Sequence, residues 1–124
     1  MNAVHPLVSV IDDDESLRES LPDLLKAFGL SVDAFSSAED FLASDSIDKT
    51  KCLILDVSMP RMTGPQLQRE LASRGNSIPI VFITAHTEDA IRQRLIQEGA
   101  VECLFKPFSA AALQEAVRSA LSVS

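Results

Sequence analysis

The sequence predicts an α/β fold: a doubly wound parallel sheet of five strands, flanked by five helices in a three-layer sandwich. Strand and helix signals alternate five times along its 124 residues. The third to fifth strands are nearly continuous apolar runs, as expected of strands covered on both faces by crossover helices. A third observation concerns the strand ends. Val8-Ser9-Val10-Ile11 runs into Asp12-Asp13-Asp14, Cys52-Leu53-Ile54-Leu55 into Asp56, Ile80-Val81-Phe82-Ile83 into Thr84, and Leu104-Phe105 into Lys106. Ligands of open parallel sheets bind in the crevice beyond the carboxyl ends of the strands. These side chains are therefore the candidate site.

The first strand, Val8–Ile11, leads to a helix in which Leu17, Leu21, Leu24, Leu25 and Phe28 recur at i, i+4, i+7, i+8 and i+11. Asp14 reads as its start, where a carboxylate is favourable, and Gly29 as its stop. Pro22 lies more than a turn inside and removes a backbone bond, at a cost of ~3 kcal/mol. The leucine pattern does not slip across it, which predicts one kinked helix and not two. Ser31–Phe35 is a short second strand, and Ser36-Ser37-Ala38-Glu39 reads as a capping box ahead of Phe41 and Leu42. The stretch Ser44–Ser46, with Asp45 and Asp48, reads as surface loop. The third strand, Cys52–Asp56, passes through Val57-Ser58-Met59-Pro60 to a second box, Thr63-Gly64-Pro65-Gln66. Leu67 and Leu71 give the helix that follows an apolar side before Gly75. Ile80–Thr84 is the fourth strand, and Ile91, Leu95 and Ile96 mark a helix ended by Gly99. Val101–Phe105 is the fifth strand, and Leu113, Val117 and Leu121 stripe the last helix.

The bulk properties predict one domain spanning residues 1–124, with 46% hydrophobic and 23% charged residues. A net charge of −7 argues against direct nucleic-acid binding, which needs a basic face. No apolar run approaches the ~20 residues that span a bilayer. Met1–Pro6 lacks the features of a signal peptide, so the expected location is cytoplasmic. Cys52 and Cys103 sit in apolar strand patterns and read as reduced core thiols.

Among doubly wound folds, the strand order 2-1-3-4-5 makes Asp12, Asp13 and Asp56 neighbours. Two such charges ~4 Å apart repel by roughly 4 kcal/mol at an effective dielectric near 20. Proton uptake or a hard divalent cation relieves them, and oxygen-only ligands suit Mg²⁺. A lysine offers a second positive charge for a phosphate, and a threonine hydroxyl offers a hydrogen bond. A carboxylate nucleophile, a metal and an ammonium are together the parts of phosphoryl transfer to an aspartate. Each residue alone reads as a solvated strand end; all four at matching ends read as a site.

From Leu7 to Leu121 the chain resembles a two-component response-regulator receiver domain. The motifs are Val10-Ile11-Asp12-Asp13-Asp14, Leu55-Asp56-Val57-Ser58-Met59-Pro60, Ile83-Thr84-Ala85 and Phe105-Lys106-Pro107-Phe108. The resemblance implies the CheY-like, flavodoxin-like sheet order 2-1-3-4-5. It implies that Asp56 is the phosphoacceptor, attacking a phosphohistidine on a sensor histidine kinase. Asp13 and Asp56 would ligate Mg²⁺ directly, with the Ser58 main-chain carbonyl as third protein ligand and Asp12 acting through a metal-bound water. Lys106 would pair with the phosphoryl group, and the Thr84 hydroxyl would turn toward it. The Lys106-Pro107 bond is expected to be cis. Such a domain catalyses only its own phosphorylation and dephosphorylation and is not otherwise an enzyme.

The resemblance also implies a switch read out by the face of the fourth helix, fifth strand and fifth helix, with homodimerisation on phosphorylation. Leu17, Arg18 and Pro107 are candidate kinase contacts. Ser58 and His86, two places after Asp56 and Thr84, would set the lifetime of the phosphoaspartate. The chain departs from the family at Cys103, where receivers usually carry the aromatic residue of the switch. Its opening, Asp-Asp-Asp-Glu-Ser-Leu-Arg, is similar to that of FixJ-like regulators, whose LuxR-type helix-turn-helix binds DNA. DNA would then be reached only through an output domain absent from this chain. Two other readings stand beside this one. A haloacid-dehalogenase-type phosphatase would use Asp12 in Asp12-Asp13-Asp14-Glu15-Ser16, with Thr84 and Lys106 in that family's order, but leaves Asp56 unexplained. A phosphate-independent, receiver-like interaction module would need none of the site residues.

Overall fold

The computed structural model describes residues 5–85 and 89–122. Five parallel strands, β1 (Leu7–Ile11), β2 (Ser31–Phe35), β3 (Thr50–Asp56), β4 (Ile80–Thr84) and β5 (Glu102–Phe105), form one sheet in the order β2-β1-β3-β4-β5. Between and after them run α1 (Glu15–Ala27), α2 (Ala38–Leu42), α3 (Gly64–Ser73), α4 (Asp89–Gln97) and α5 (Ala110–Ser122). Among the described residues, no helix is long and apolar enough to cross a membrane.

Successive residues of a strand point to opposite faces, and β3 uses both. Leu53 and Leu55 join Ile11, Phe82, Phe41, Leu67 and Leu95 in a core on the side of α2, α3 and α4. Cys52 and Ile54 join Val10, Ile83, Leu25 and Leu113 in a second core on the side of α1 and α5. Two-sided burial holds fully for β4, while in β5, an edge strand, only Cys103 is buried.

The helix α1 continues unbroken through Pro22. Burial of Leu21 and Leu25 on either side of the proline, roughly 1.5–3 kcal/mol each, outweighs the single lost backbone bond. Asp14 caps this helix as expected, its Oδ1 accepting from the Ser16 N–H at 2.9 Å. The Thr63–Gln66 capping box forms with both bonds, at 3.3 and 2.9 Å.

Two sequence expectations shift. The cap of α2 is Ser37, which accepts from the Asp40 N–H at 3.1 Å, so the helix starts one residue later than the Ser36–Glu39 box predicts. That register buries Ala38 and Phe41 completely. The expected loop after it is a 3₁₀ turn, Asp45–Asp48, capped by Ser44. One bond to another element and one local bond hold it: the Ser46 hydroxyl donates to Asp33 on β2, and the Thr50 hydroxyl donates to the Ser46 carbonyl at 2.6 Å.

Candidate functional site

Parallel pairing of β1 with β3 aligns Ile11 with Leu55, which sets Asp12 and Asp56 at adjacent strand ends. On the other side of β3, β4 pairs with β5 so that Thr84 aligns with Phe105, and the Lys106 N–H donates to the Thr84 carbonyl at 2.8 Å. This carries the Lys106 ammonium to 3.2 Å from Asp12 Oδ2 and 3.7 Å from Asp56 Oδ2. Asp12 is fully buried, Asp56 is 4% exposed and Thr84 is 1% exposed, while Asp13 stands in solvent. One carboxylate oxygen each from Asp12, Asp13 and Asp56 lie within 4.8 Å of one another. The Lys106-Pro107 peptide is cis, as the resemblance implies.

The charges do not balance. Two buried carboxylates share one ammonium. Burial first, and then the neighbouring charge of Asp12, push the Asp56 carboxyl up to about 7 against the opposing pull of Lys106. The Ser58 N–H donates to Asp56 Oδ1 at 3.3 Å, and the Asp14 N–H to Asp12 Oδ1 at 2.8 Å. Among the described residues, the donor set is three carboxylates with no nitrogen or sulfur, and one ammonium faces two of them. The set fits a hard divalent cation such as Mg²⁺.

A consequence for stability follows. The folded protein holds a proton on Asp56 that the unfolded chain, with an ordinary carboxyl near 3.8, releases. Stability in the absence of metal therefore falls as pH rises from 3.8 through about 7, because the unfolded state binds fewer protons across that window. Asp56→Asn should flatten this slope and raise the melting temperature under mildly alkaline, chelated conditions by roughly 4–8 °C. Thermal melts with and without EDTA check it; a slope unchanged by the substitution would contradict the charge imbalance.

Gly64, at the first position of α3, is the site residue that sequence reading undervalued. A Cβ there would collide with the Asp56 carbonyl and lie 2.9 Å from Phe82 Cε1 and 3.1 Å from Val57 Cα. The absence of a side chain lets α3 seat directly against the backbone that carries Asp56. Gly64→Ala should cost ~1–3 kcal/mol in urea denaturation; a fully neutral effect would refute the tight seating.

The other predicted residues divide. Ser58 is exposed and, with Asp13, Met59, Pro60 and Ile91, lines a cleft of about 560 Å³ beside the acidic cluster. Cys103 aligns with Phe82 and lies in the core beneath α4, with its thiol pushed up by burial. Cys52 is pushed up to about 12 by burial. Both thiols are free, as the sequence suggested. Leu17 packs half-buried against the α1/α5-side core, Pro107 is exposed, and Arg18 donates to the Asp12 carbonyl at 2.9 Å. His86 lies outside the described residues.

Comparison with known proteins agrees with this geometry. The response regulator protein TodT of Pseudomonas putida is 41% identical over 118 residues, covering 95% of this chain and 52% of its own length. The chain spans about half the length of curated relatives such as TodT. The structure of the response regulator StyR is 42% identical with a TM-score of 0.88, covering 97% of this chain and 61% of that one. The crystal structure of FixJ-N is 32% identical with a TM-score of 0.85, covering 97% of this chain and 96% of that one. Residues 8–118 match the family described as the response regulator receiver domain. With its sheet order, its three clustered carboxylates and the lysine that faces two of them, the chain belongs to the response regulator receiver domain family.

Proposed function

We propose that the chain accepts a phosphoryl group from a sensor histidine kinase onto Asp56, and that the phosphorylated form switches a transcriptional output. As a family, receiver domains are phosphorylated on aspartate with Mg²⁺ and partner with sensor histidine kinases. The observation that carries the assignment to Asp56 is the convergence of Lys106 Nζ on Asp12 and Asp56 at 3.2 and 3.7 Å, beside an oxygen of Asp13.

The chemistry follows from the side chains. Asp56, as carboxylate, attacks phosphorus in line; an O–P bond forms, the P–N bond of the phosphohistidine breaks, and the imidazole leaves with the bond's electron pair. Asp56 needs its charge for this step, and its raised pKa makes that charge depend on neighbouring cations. Bound through Asp13, Asp56 and the Ser58 carbonyl, with Asp12 behind a water, Mg²⁺ would supply charge neutralisation for the carboxylates and the incoming phosphoryl oxygens. Lys106 neutralises the same oxygens, and the Thr84 hydroxyl donates to one of them.

The product carries nearly two new negative charges and three acceptor oxygens. Lys106 is drawn to them and away from Asp12. Because the Lys106 N–H is bonded to the Thr84 carbonyl, the ends of β4 and β5 respond together. The α4-β5-α5 face reports the change, with Cys103 in place of an aromatic lever. Ser58 and His86 set the lifetime of the phosphoaspartate, and Leu17 and Pro107 contribute to the kinase contact. The domain catalyses only its own phosphorylation and dephosphorylation, in the cytoplasm. Transcriptional regulators such as FixJ of Azorhizobium caulinodans are among its relatives, which favours a LuxR-type DNA-binding output outside these 124 residues.

The phosphatase reading loses ground because it gives no role to Asp56, which is buried beside Asp12 and faces the same Lys106 ammonium. A phosphate-independent module would have no use for this cluster. Acetyl phosphate with Mg²⁺ should label the domain and EDTA should abolish the labelling; equal uptake in EDTA would overturn the assignment. Beryllofluoride with Mg²⁺ should raise the molar mass to that of a dimer, and an unchanged monomer at high concentration would contradict dimerisation.

A further inference from the structure

The family resemblance puts Arg18 at a kinase-docking surface, yet its side chain has a partner inside the domain. From the first turn of α1 its Nη1 donates to the main-chain oxygen of Asp12 at 2.9 Å. That oxygen belongs to the peptide joining Asp12 to Asp13. The next peptide, joining Asp13 to Asp14, is held by its N–H, which donates to Asp12 Oδ1 at 2.8 Å. The two peptide units on either side of Asp13 are thus each pinned, one by a guanidinium and one by a buried carboxylate. Asp13 itself is exposed, and an exposed carboxylate is free to change rotamer. Even so, one of its oxygens lies within 4.8 Å of oxygens from Asp12 and Asp56. The backbone does the aiming.

We infer that Arg18 is a positioning residue for the cation site: by bonding the Asp12 carbonyl, it fixes the direction in which Asp13 presents its carboxylate to Mg²⁺. This rests on the reading of Asp13 as a metal-holding residue. Arg18 need not touch the metal. Supporting groups that orient a ligand, without contacting the ion, commonly change metal affinity ten- to a hundredfold when removed.

Charge and geometry make opposite predictions here, which makes the inference testable. A guanidinium close to a cation site opposes the cation, so by charge alone its removal should tighten Mg²⁺ binding. If Arg18 acts by orientation, its removal should weaken it.

The test is calorimetric titration of the unphosphorylated domain with Mg²⁺, which requires no kinase and no phosphotransfer. Arg18→Met should weaken binding about tenfold. Arg18→Lys keeps a donor and the charge, and should recover most of the loss. Arg74→Met removes an exposed cation paired with Glu70 on α3 and should bind like the parent. With acetyl phosphate as donor, Arg18→Met should need about tenfold more Mg²⁺ for half-maximal labelling and reach a similar rate at saturation. Equal or tighter binding by Arg18→Met overturns the inference. Should Arg18→Met not fold, Arg18→Gln, with a shorter side chain, decides on the same terms. Absence of Mg²⁺ binding by the parent domain would instead overturn the reading of the site itself, and the inference with it.

Discussion

Asp56→Asn is expected to abolish phosphoryl uptake, from a kinase or from acetyl phosphate, while leaving the fold intact. The amide matches the carboxylate in size and can still accept the Ser58 N–H bond that Asp56 makes at 3.3 Å. It lacks the anionic oxygen that attacks phosphorus, and no base can generate one. The substitution also removes one of two buried carboxylates that compete for a single ammonium. The same variant should therefore be inactive as a phosphoacceptor and more stable than the parent above pH 7 in the absence of metal, since burial and Asp12 hold the parent carboxyl up at about 7. A variant merely damaged in its packing would lose both. Labelling and thermal melts on one preparation separate the two outcomes.

Lys106→Ala is expected to lower the rate of labelling by roughly 10²–10³, the usual loss when a fixed electrostatic partner of a transition state is removed. Its effect on stability should run opposite to that of Asp56→Asn. The ammonium is the cation paired with buried Asp12 at 3.2 Å, and its loss leaves two adjacent carboxylates without it. Breaking such a pair costs about 3–5 kcal/mol where the remaining charge stays buried. Here the penalty has an outlet. Without Lys106 the Asp56 carboxyl rises beyond the parent's value of about 7 and takes up a proton, so the destabilisation should shrink as pH falls toward 6. Urea denaturation at several pH values measures it. A loss of stability independent of pH would show that the lysine contributes packing of its aliphatic stem and not charge compensation.

Most of the architecture was legible because the signals are local and agree with one another. The leucine spacing of α1 outvoted Pro22, and the Thr63-to-Gln66 box marked the start of α3 with both of its bonds. The site was legible for a related reason: in a parallel sheet, strand ends converge, so Asp12, Asp56, Thr84 and Lys106 needed only the right strand order to meet. That order came from resemblance and not from periodicity, since alternating strands and helices are compatible with several.

What escaped the sequence depends on contacts between distant segments. Ser46 gives no sign that its hydroxyl will find Asp33 and turn a loop into a 3₁₀ turn. Gly64 reads as an ordinary member of a capping box, and only the approach of α3 to the Asp56 backbone explains why it lacks a side chain. Arg18 reads only as a candidate kinase contact until its bond to the Asp12 carbonyl is seen. The one-residue shift at α2 has the same origin, because two adjacent serines offer equivalent caps and the burial of Phe41 selects between them.

The central claim is that the phosphoryl group is carried by the side chain ending β3. Brief labelling with acetyl phosphate and Mg²⁺, followed by borohydride reduction of the acyl phosphate and peptide sequencing by mass spectrometry, locates it directly. Homoserine at position 56 is the predicted result. Homoserine at position 12 or 13, with Asp56 unmodified, would contradict it.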